Sequence, residues 1–576
     1  MEPLLAARLF LLLAALFLPA VTAYGQSLPT LDFTGKTGEK RPELLDQRTR
    51  SPLPTLSPPS ASEPSTDNAS RLLKTLFVRK IVVTGSTVFS PEQIAKVTAP
   101  YENRNLTMEG LDSLRRDLTL LYVNKGYINS GAVVPDQTVM DGQLTLRIVE
   151  GKLSHIAIGG NRWFGESYLR DRIALGAGAP VNILPLQDRL QLLQQDPRIE
   201  RIQAELRPGA SPGESELTVR VVEKPPRSVS ATFNNYQSPS IGAERGLVTL
   251  AHQNLTGHGD IFSFTYGYSE GLNPLIDTGY AAPISAYDTT LSFRYRKNDA
   301  TVVDGVFGPL DIVNKTESFE AGLRQPVYRT LNQEVALSLS VEREESRSFL
   351  SGEPFSFSPG SDNGKAIVVP LRFAQEWTYR SQRQVVAARS RMTFGLDAGG
   401  ATMNSGQNVP DGKFFAWLGQ LQWARILDFR DTQVIARADI QRSNDPLLPV
   451  EQMAVGGRYS VRGYRESLLV KDDVFIASLE ARIPLVQNER WAEYLQLASF
   501  LDYGRGTNVD VPDNGPTELS SVGAGIRWGA SPVKGPFELR TEAEIYWGYR
   551  LRNLPRAHDD LQDDGVHFQI AISAFF

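Results

Sequence analysis

The chain has 576 residues, with 60 lysines and arginines against 65 aspartates and glutamates, and no cysteine. The mild net charge of −5, without a basic stripe, argues against a nucleic-acid partner, and the missing cysteine excludes disulfides, cysteine-ligated zinc and thiol catalysis. No central stretch reaches the roughly 18–20 apolar residues of a transmembrane helix, which leaves a membrane barrel open, because barrel strands alternate apolar and polar residues and vanish in average hydropathy.

Residues 1–23 read as a signal peptide: Arg8, the apolar run Leu9 to Leu18, then the small-x-small site Val21-Thr22-Ala23. Cleavage is expected after Ala23, with Gly25 the alternative. The apolar run is too short for a membrane anchor, so the protein is exported, most simply in a Gram-negative cell. Within residues 24–50 a short helix is expected near Pro42-Glu43-Leu44-Leu45-Asp46. Residues 51–75, with Ser51-Pro52-Leu53-Pro54 and Ser57-Pro58-Pro59-Ser60, are too rich in proline and serine to bury a core and read as an extended linker.

A repeat follows. Lys80-Ile81-Val82-Val83-Thr84-Gly85 leads to Phe89, and His155-Ile156-Ala157-Ile158-Gly159-Gly160 leads to Phe164. Each is an alternating strand, a glycine turn and an aromatic before a helical stretch. The unit ends match too: Leu144-Thr145-Leu146-Arg147-Ile148-Val149-Glu150 with Leu217-Thr218-Val219-Arg220-Val221-Val222-Glu223. Between them Leu111, Leu114, Leu118 and Leu121, and later Leu186, Leu190 and Leu193, share helix faces. Two tandem α+β modules are expected, at 76–150 and 151–224, each a short sheet with two helices. An open sheet edge on such a module can accept an extended peptide by backbone pairing.

After Pro225-Pro226 the pattern becomes period two. Examples are Asp260 to Tyr268, Glu334 to Val341, Phe415 to Leu421 and Phe537 to Trp547, with aromatics near segment ends. Charged faces such as Arg294/Arg296 and Glu538/Arg540/Glu542/Glu544 suit a water-filled lumen, since lipid-facing charges cost several kcal/mol each. Residues 228–576 accommodate about 16 antiparallel strands of about 10 residues. The last segment, Val566 to Phe576, ends the chain within a strand and suits a barrel closed by its final strand.

Within this region lies Gly456-Gly457-Arg458-Tyr459-Ser460-Val461-Arg462-Gly463-Tyr464, a loop dense in arginine, tyrosine and glycine. Glycine permits tight turns and close backbone approach, and arginine in a narrow lumen needs a carboxylate, which Phe500-Leu501-Asp502-Tyr503-Gly504 offers.

Together these features resemble the two-partner secretion transporters (TpsB, the haemolysin secretion-activation family) of the Omp85 superfamily. Val461-Arg462-Gly463-Tyr464 matches the family's loop-6 motif, and Phe500-x-Asp502-x-Gly504 its strand motif. The resemblance implies two POTRA domains before a 16-stranded barrel and a lumenal loop whose Arg462 contacts Asp502. Arg458 and Tyr459 are further candidates for bracing that loop, alongside Tyr464. It also implies a plug helix over about Leu28 to Arg48, although Gly35, Gly38 and Pro42 oppose a long helix there. The implied partners are a large secreted exoprotein with an N-terminal secretion domain, outer-membrane lipids, and the barrel assembly machinery, through the strand ending in Phe576. The implied location is the outer membrane, with the POTRA domains in the periplasm. An insertase assembling other barrels is the alternative reading; such proteins usually carry more POTRA repeats and lack the Pro/Ser linker.

No catalytic residue, metal or cofactor is expected. Gly35-Lys36-Thr37 resembles a P-loop tail, but Thr30 stands where the first glycine belongs and no strand precedes it. His252 and His258 lack helical zinc-pair spacing, and no Gly-x-Ser-x-Gly elbow occurs. The sequons at Asn68, Asn105 and Asn254 read as chance matches in a bacterial envelope protein.

Overall fold

The structure, a computed structural model, describes residues 75–303, 307–406, 408–510, 512–513, 515–533, 535, 537–552, 554 and 560–576. The expected signal peptide and plug helix, and all of the expected linker except Thr75, lie outside the described residues.

The first module runs β1 (Leu76–Val78), β2 (Lys80–Thr84), α1 (Pro91–Thr98), β3 (Arg104–Leu106), α2 (Met108–Val123), β4 (Gly131–Val133) and β5 (Gln143–Val149). The second runs β6 (Lys152–Gly159), α3 (Glu166–Ala174), α4 (Ile183–Gln194), β7 (Ile199–Pro208) and β8 (Glu214–Glu223). Their three-stranded sheets share one plan, β2-β5-β4 and β6-β8-β7, with the first strand parallel to the middle one and the outer strand antiparallel. Helix α1 opens with a capping box, in which Ser90 and Gln93 satisfy each other's backbone N–H groups. Leu114, Leu118 and Tyr122 recur every four residues on α2 and are fully buried, while Leu111 and Leu121 pack at the margin of that core. Leu186, Leu190 and Leu193 do the same in the second module.

The repeat has a physical cause at its end. Glu150 accepts hydrogen bonds from the Thr87 backbone N–H (2.6 Å), the Thr87 hydroxyl (2.5 Å), the Val88 N–H (3.2 Å) and the Tyr122 hydroxyl (2.9 Å). Glu223 accepts from the N–H groups of Arg162, Trp163 and Phe164. Each module thus closes its strand–helix turn with a glutamate at the end of its last strand, Glu150 just after β5 and Glu223 as the final residue of β8. Burial pushes the Glu150 carboxyl up, but these hydrogen bonds outweigh it and hold the group below the usual carboxylate range.

The barrel comprises β9 (Arg227–Asn234), β10 (Arg245–His252), β11 (Ile261–Ser269), β12 (Leu272–Pro283), β13 (Thr290–Thr301), β14 (Ile312–Arg329), β15 (Gln333–Leu350), the short β16 (Glu353–Pro354), β17 (Lys365–Val368) continuing as β18 (Pro370–Arg380), β19 (Gln384–Gly395), β20 (Phe415–Ile426) and β21 (Gln433–Ser443). A small hairpin follows, β22 (Met453–Val455) and β23 (Leu469–Lys471). The wall then resumes with β24 (Asp473–Glu489), β25 (Ala492–Thr507), β26 (Glu518–Val533), β27 (Glu538–Arg550) and β28 (Val566–Phe575). Counting β17–β18 as one and leaving the two-residue β16 aside, 16 antiparallel strands close where β28 pairs β9 from Gln569↔Asn234 to Phe575↔Ser228. Closure leaves no strand edge in lipid. Exposed Phe233, Val248, Phe293 and Phe319 form part of the outer face, while inward charges pair, as in Arg294–Asp277 (2.5 Å) and Arg324–Glu376 (2.9 Å). The strands are less even than about 10 residues each: β14 and β15 run 18 residues because they stay paired beyond the lipid belt. The first barrel strand starts at Arg227, one residue before the expected boundary.

The second module sits on the barrel turns and marks that end as periplasmic. Arg172 pairs with Asp288 (2.7 Å), which also pairs with Arg329 (2.5 Å); the Gly165 N–H donates to the Gly257 carbonyl (2.8 Å). The Arg172 guanidinium lies 3.6 Å from the Tyr168 ring centroid.

Candidate functional site: the lumenal loop

Between β21 and β24 the chain leaves the wall, and its β22–β23 hairpin holds a tip from Gly456 to Leu468 against the inner surface of β24–β28. The hairpin was not legible as strands in the sequence. Val461 and Tyr464 are fully buried with Val455, Leu469, Ile476 and Leu519, so an apolar cluster anchors the loop inside an otherwise polar lumen.

Arg462 is 2% exposed, and its guanidinium meets Asp502 as a fork: Nε to Oδ2 at 2.8 Å and Nη2 to Oδ1 at 2.9 Å. The Arg462 backbone N–H donates to the same carboxylate at 3.0 Å. Nη1 is bound by Glu480, and Nη2 also donates to the Ser478 hydroxyl at 3.2 Å, whose own proton goes to Asp502 at 2.7 Å. The face of the guanidinium stacks 3.6 Å from the Phe500 ring centroid. Two carboxylates, a hydroxyl and a ring therefore enclose one cation, and Glu480 is shared with Arg482 at 2.5 Å. A buried ion keeps its charge only when its donors are satisfied in this way.

The glycines have steric causes. Gly504 faces the loop, and a Cβ there would lie 2.5 Å from Val455 and 2.7 Å from Val461. Gly463 has φ +90° and sits on the wall at Gly548. Arg550 Nε donates to the Gly463 carbonyl at 2.5 Å, and the Tyr464 hydroxyl lies between the carbonyls of Ser520 and Arg552, 3.0 Å from each. Arg458 reaches Glu544 through Nε and Nη2, both at 3.2 Å, with the Tyr546 ring centroid 4.1 Å from its guanidinium. Tyr459 packs edge-on against Tyr236 of the segment after β9. The loop is also tied to the closing seam: Gln562 accepts from the Glu466 N–H at 2.9 Å and donates to the Asn235 and Gln237 carbonyls at 2.5 and 2.7 Å.

All the sequence-derived loop residues and strand partners thus gather at one place. Sequence reasoning missed Glu480, Ser478, Tyr546, Glu544 and Gln562. The alternation Ile476, Ser478, Glu480, Arg482 on β24 was a signal for the first two, because it puts polar residues on the lumenal face. Nothing local flagged Gln562. Among the described residues no group of side chains has the makings of a metal site.

The chain matches the family described as haemolysin secretion/activation protein ShlB/FhaC/HecB over residues 213–528, and a ShlB-type POTRA domain over residues 76–151. It is 25% identical over 449 residues to the outer membrane transporter CdiB of Escherichia coli O6:K15:H31 (strain 536 / UPEC), covering 75% of this chain and 73% of that one. It is 26% identical over 183 residues to the hemolysin transporter protein ShlB of Serratia marcescens, covering 31% of each chain. The solved structure of CdiB from Escherichia coli superimposes with a TM-score of 0.64 at 20% identity, covering 89% of this chain and 93% of that one. A structure of BamA from Haemophilus ducreyi lacking POTRA domains 1-3 gives 0.51 at 12% identity, covering 87% and 100%. At those identities the structural likeness concerns the fold. The family is one of transporters and not of enzymes. Its match spans more than half of the chain, and the protein belongs to this haemolysin secretion/activation family, the two-partner secretion transporters of the Omp85 superfamily, with its barrel in the outer membrane and its POTRA modules in the periplasm.

Proposed function

We propose that the protein captures an unfolded exoprotein in the periplasm through its POTRA modules and passes it through the barrel without nucleotide hydrolysis, folding of the cargo outside supplying the drive. The observation that carries this reading is the attachment of the second module to the barrel mouth through Arg172, Asp288 and Gly165–Gly257. A chain held on that module is already at the pore. Strand β7 supports recognition by strand addition. It is the outer strand of its sheet and ten residues long, and of its outward backbone groups the Ile202 N–H is taken by Gln194 at 2.8 Å. The relatives named transporters support the same reading.

In this reading the clamped loop holds the lumen in shape, with Arg462, Asp502 and Phe500 at its centre. The strand ending in Phe576 engages the assembly machinery, and lipid covers the outer face. The test is secretion of a large exoprotein with an N-terminal secretion domain, co-expressed with this protein, with crosslinking of that cargo to engineered cysteines on β7. Crosslinks to many barrel proteins, and none to a single secreted partner, would overturn it in favour of an insertase.

A further inference from the structure

The outer wall of β13–β17 changes character at its extracellular end. Outward positions on β15 run Val335, Leu337, Leu339 and Val341, with the last two exposed as lipid-facing residues are. The same face then continues with Arg343, Glu345 and Arg347. On β14 the outward Leu323, Ala321 and Phe319 give way to Glu317 and Lys315. Register puts Lys315 opposite Arg347, and Arg347 opposite Lys365, so three cations stand in one line across β14, β15 and β17. Neighbouring strands are about 4.8 Å apart, and like charges directly opposite repel. Three carboxylates share this face. Glu345 binds Arg343 at 2.8 Å, Arg347 at 2.5 Å and Lys365 at 3.4 Å. Asp299, opposite Lys315, pairs with Lys297 at 3.5 Å, and Glu317, opposite Glu345, accepts the Tyr295 hydroxyl at 2.8 Å. The five cations Lys297, Lys315, Arg343, Arg347 and Lys365 thus face three carboxylates. Lys315 forms no ion pair among the described residues; its ammonium lies 5.6 Å from the Phe349 ring centroid. The side chains of Arg347 and Lys365 remain 58% and 45% exposed.

The line begins four residues beyond Phe319, about 13 Å along the strand, and Arg343 stands level with Phe319 itself. Cations in excess over their carboxylates, stepping down to the rim of an apolar belt, match anionic groups fixed at a membrane surface. From this geometry we propose that Lys315, Arg347 and Lys365, with Arg343 below them, bind the phosphates of an outer-leaflet phosphoglycolipid of the lipid A type. Its acyl chains lie on the Phe293, Phe319 and Val341 face. Guanidinium and ammonium groups on a planar array suit phosphate oxygens. On the same outer face, Arg442 at the end of β21 is fully matched by Asp473 at 2.7 Å, so it offers no such excess and serves as a control.

The experiment measures binding of lipid A to the purified full-length protein in detergent by native mass spectrometry. Wild type is compared with the triple variant Lys315→Ala/Arg347→Ala/Lys365→Ala and with Arg442→Ala. Resistance of each variant to unfolding on unheated gels establishes that the barrel is intact. The triple variant is expected to bind about tenfold or more weakly, Arg442→Ala to match wild type, and dephosphorylated lipid A to bind as poorly as the triple variant. Unchanged binding by a folded triple variant overturns the proposal. So does equal binding of the dephosphorylated lipid, which indicates acyl contacts alone. Displacement of lipid A by inorganic phosphate at matched phosphate concentration also counts against it, because the site would then be one for a free anion.

Discussion

Gly463 lies directly on Gly548: a Cβ at Gly548 would stand 2.7 Å from the Gly463 Cα, and a Cβ at Gly463 would stand 2.7 Å from the Gly548 carbonyl oxygen. Backbone thus meets backbone where the lumenal loop touches the wall, and no side chain fits between them. Gly548→Ala should push the loop inward while leaving its ion pairs unaltered in kind. The expected result is a folded, heat-modifiable barrel with altered single-channel conductance and reduced cargo secretion. Unchanged conductance would show that the loop can shift at no cost. Gly463→Ala should be worse, because it adds a left-handed backbone penalty of about 1–2 kcal/mol to the clash.

The Arg462–Asp502 fork predicts strong non-additivity. Arg462→Ala and Asp502→Ala should each destabilise the loop by about 3–5 kcal/mol, since each leaves a buried charge short of its partner. The double variant should cost less than their sum. Denaturant unfolding of the purified barrel checks the energies, and secretion of the cognate exoprotein checks the function. Arg462→Lys should fail to rescue, because a point ammonium cannot span Asp502, Glu480 and Ser478 together.

Glu480 is expected to matter as much as Asp502, although it lies outside both sequence motifs. It serves Arg462 and Arg482 and receives the Tyr546 hydroxyl at 3.3 Å. Glu480→Ala therefore leaves two buried arginines under-neutralised. Secretion by this variant at wild-type level, in a barrel shown to be folded, would remove Glu480 from the clamp.

Glu150 gives the first POTRA module a pH dependence of known sign. Its native carboxyl titrates below the ordinary 4.5, so the folded module holds fewer protons at this site than the unfolded chain does. The associated stability is complete above about pH 4.5 and is lost as pH falls through the native value. Hydrogen exchange of the first module in the full-length protein, followed from pH 6 to pH 3, should show protection falling in that window. Glu150→Gln should be less protected at pH 6 and show a shallower fall. An identical slope in both proteins would assign the acid sensitivity elsewhere.

The joint between module and barrel should respond unequally to its two ends. Asp288 serves both Arg172 and Arg329, so Asp288→Ala removes the carboxylate partner of Arg172 and leaves Arg329 with Glu334 at 3.2 Å, while Arg172→Ala leaves Asp288 still paired with Arg329. The natural chain has no cysteine, so a spin-label pair can be placed cleanly on the second module and the barrel. Distance distributions should broaden more for Asp288→Ala than for Arg172→Ala. Equal narrow distributions would mean that Gly165–Gly257 and the other contacts hold the joint alone.

Several features were legible because their causes are local. Period-two alternation marked the barrel, since one face of each strand meets lipid and the other water. Leucines at spacing three and four marked α2 and α4, since a helix buries one stripe. The matching ends at Glu150 and Glu223 marked the repeat, and the structure supplies the reason, a carboxylate that closes each module's turn. Strand lengths were less legible: β14 and β15 outrun the membrane because pairing continues wherever two polar strands still meet, which composition does not record.

By itself the sequence determined the order of two modules followed by a barrel, and supplied an arginine-bearing loop with a carboxylate to meet it. Tertiary structure alone decided the rest of that meeting. Glu480 and Ser478 reach Arg462 from β24, Tyr546 and Glu544 come from β27, and Gln562 ties the loop to the seam. The line of Lys315, Arg347 and Lys365 likewise exists only through register. The physical reason is common to both. Burying a charge, or gathering several of one sign, depends on what distant strands bring alongside, and barrel closure sets those distances where spacing along the chain cannot.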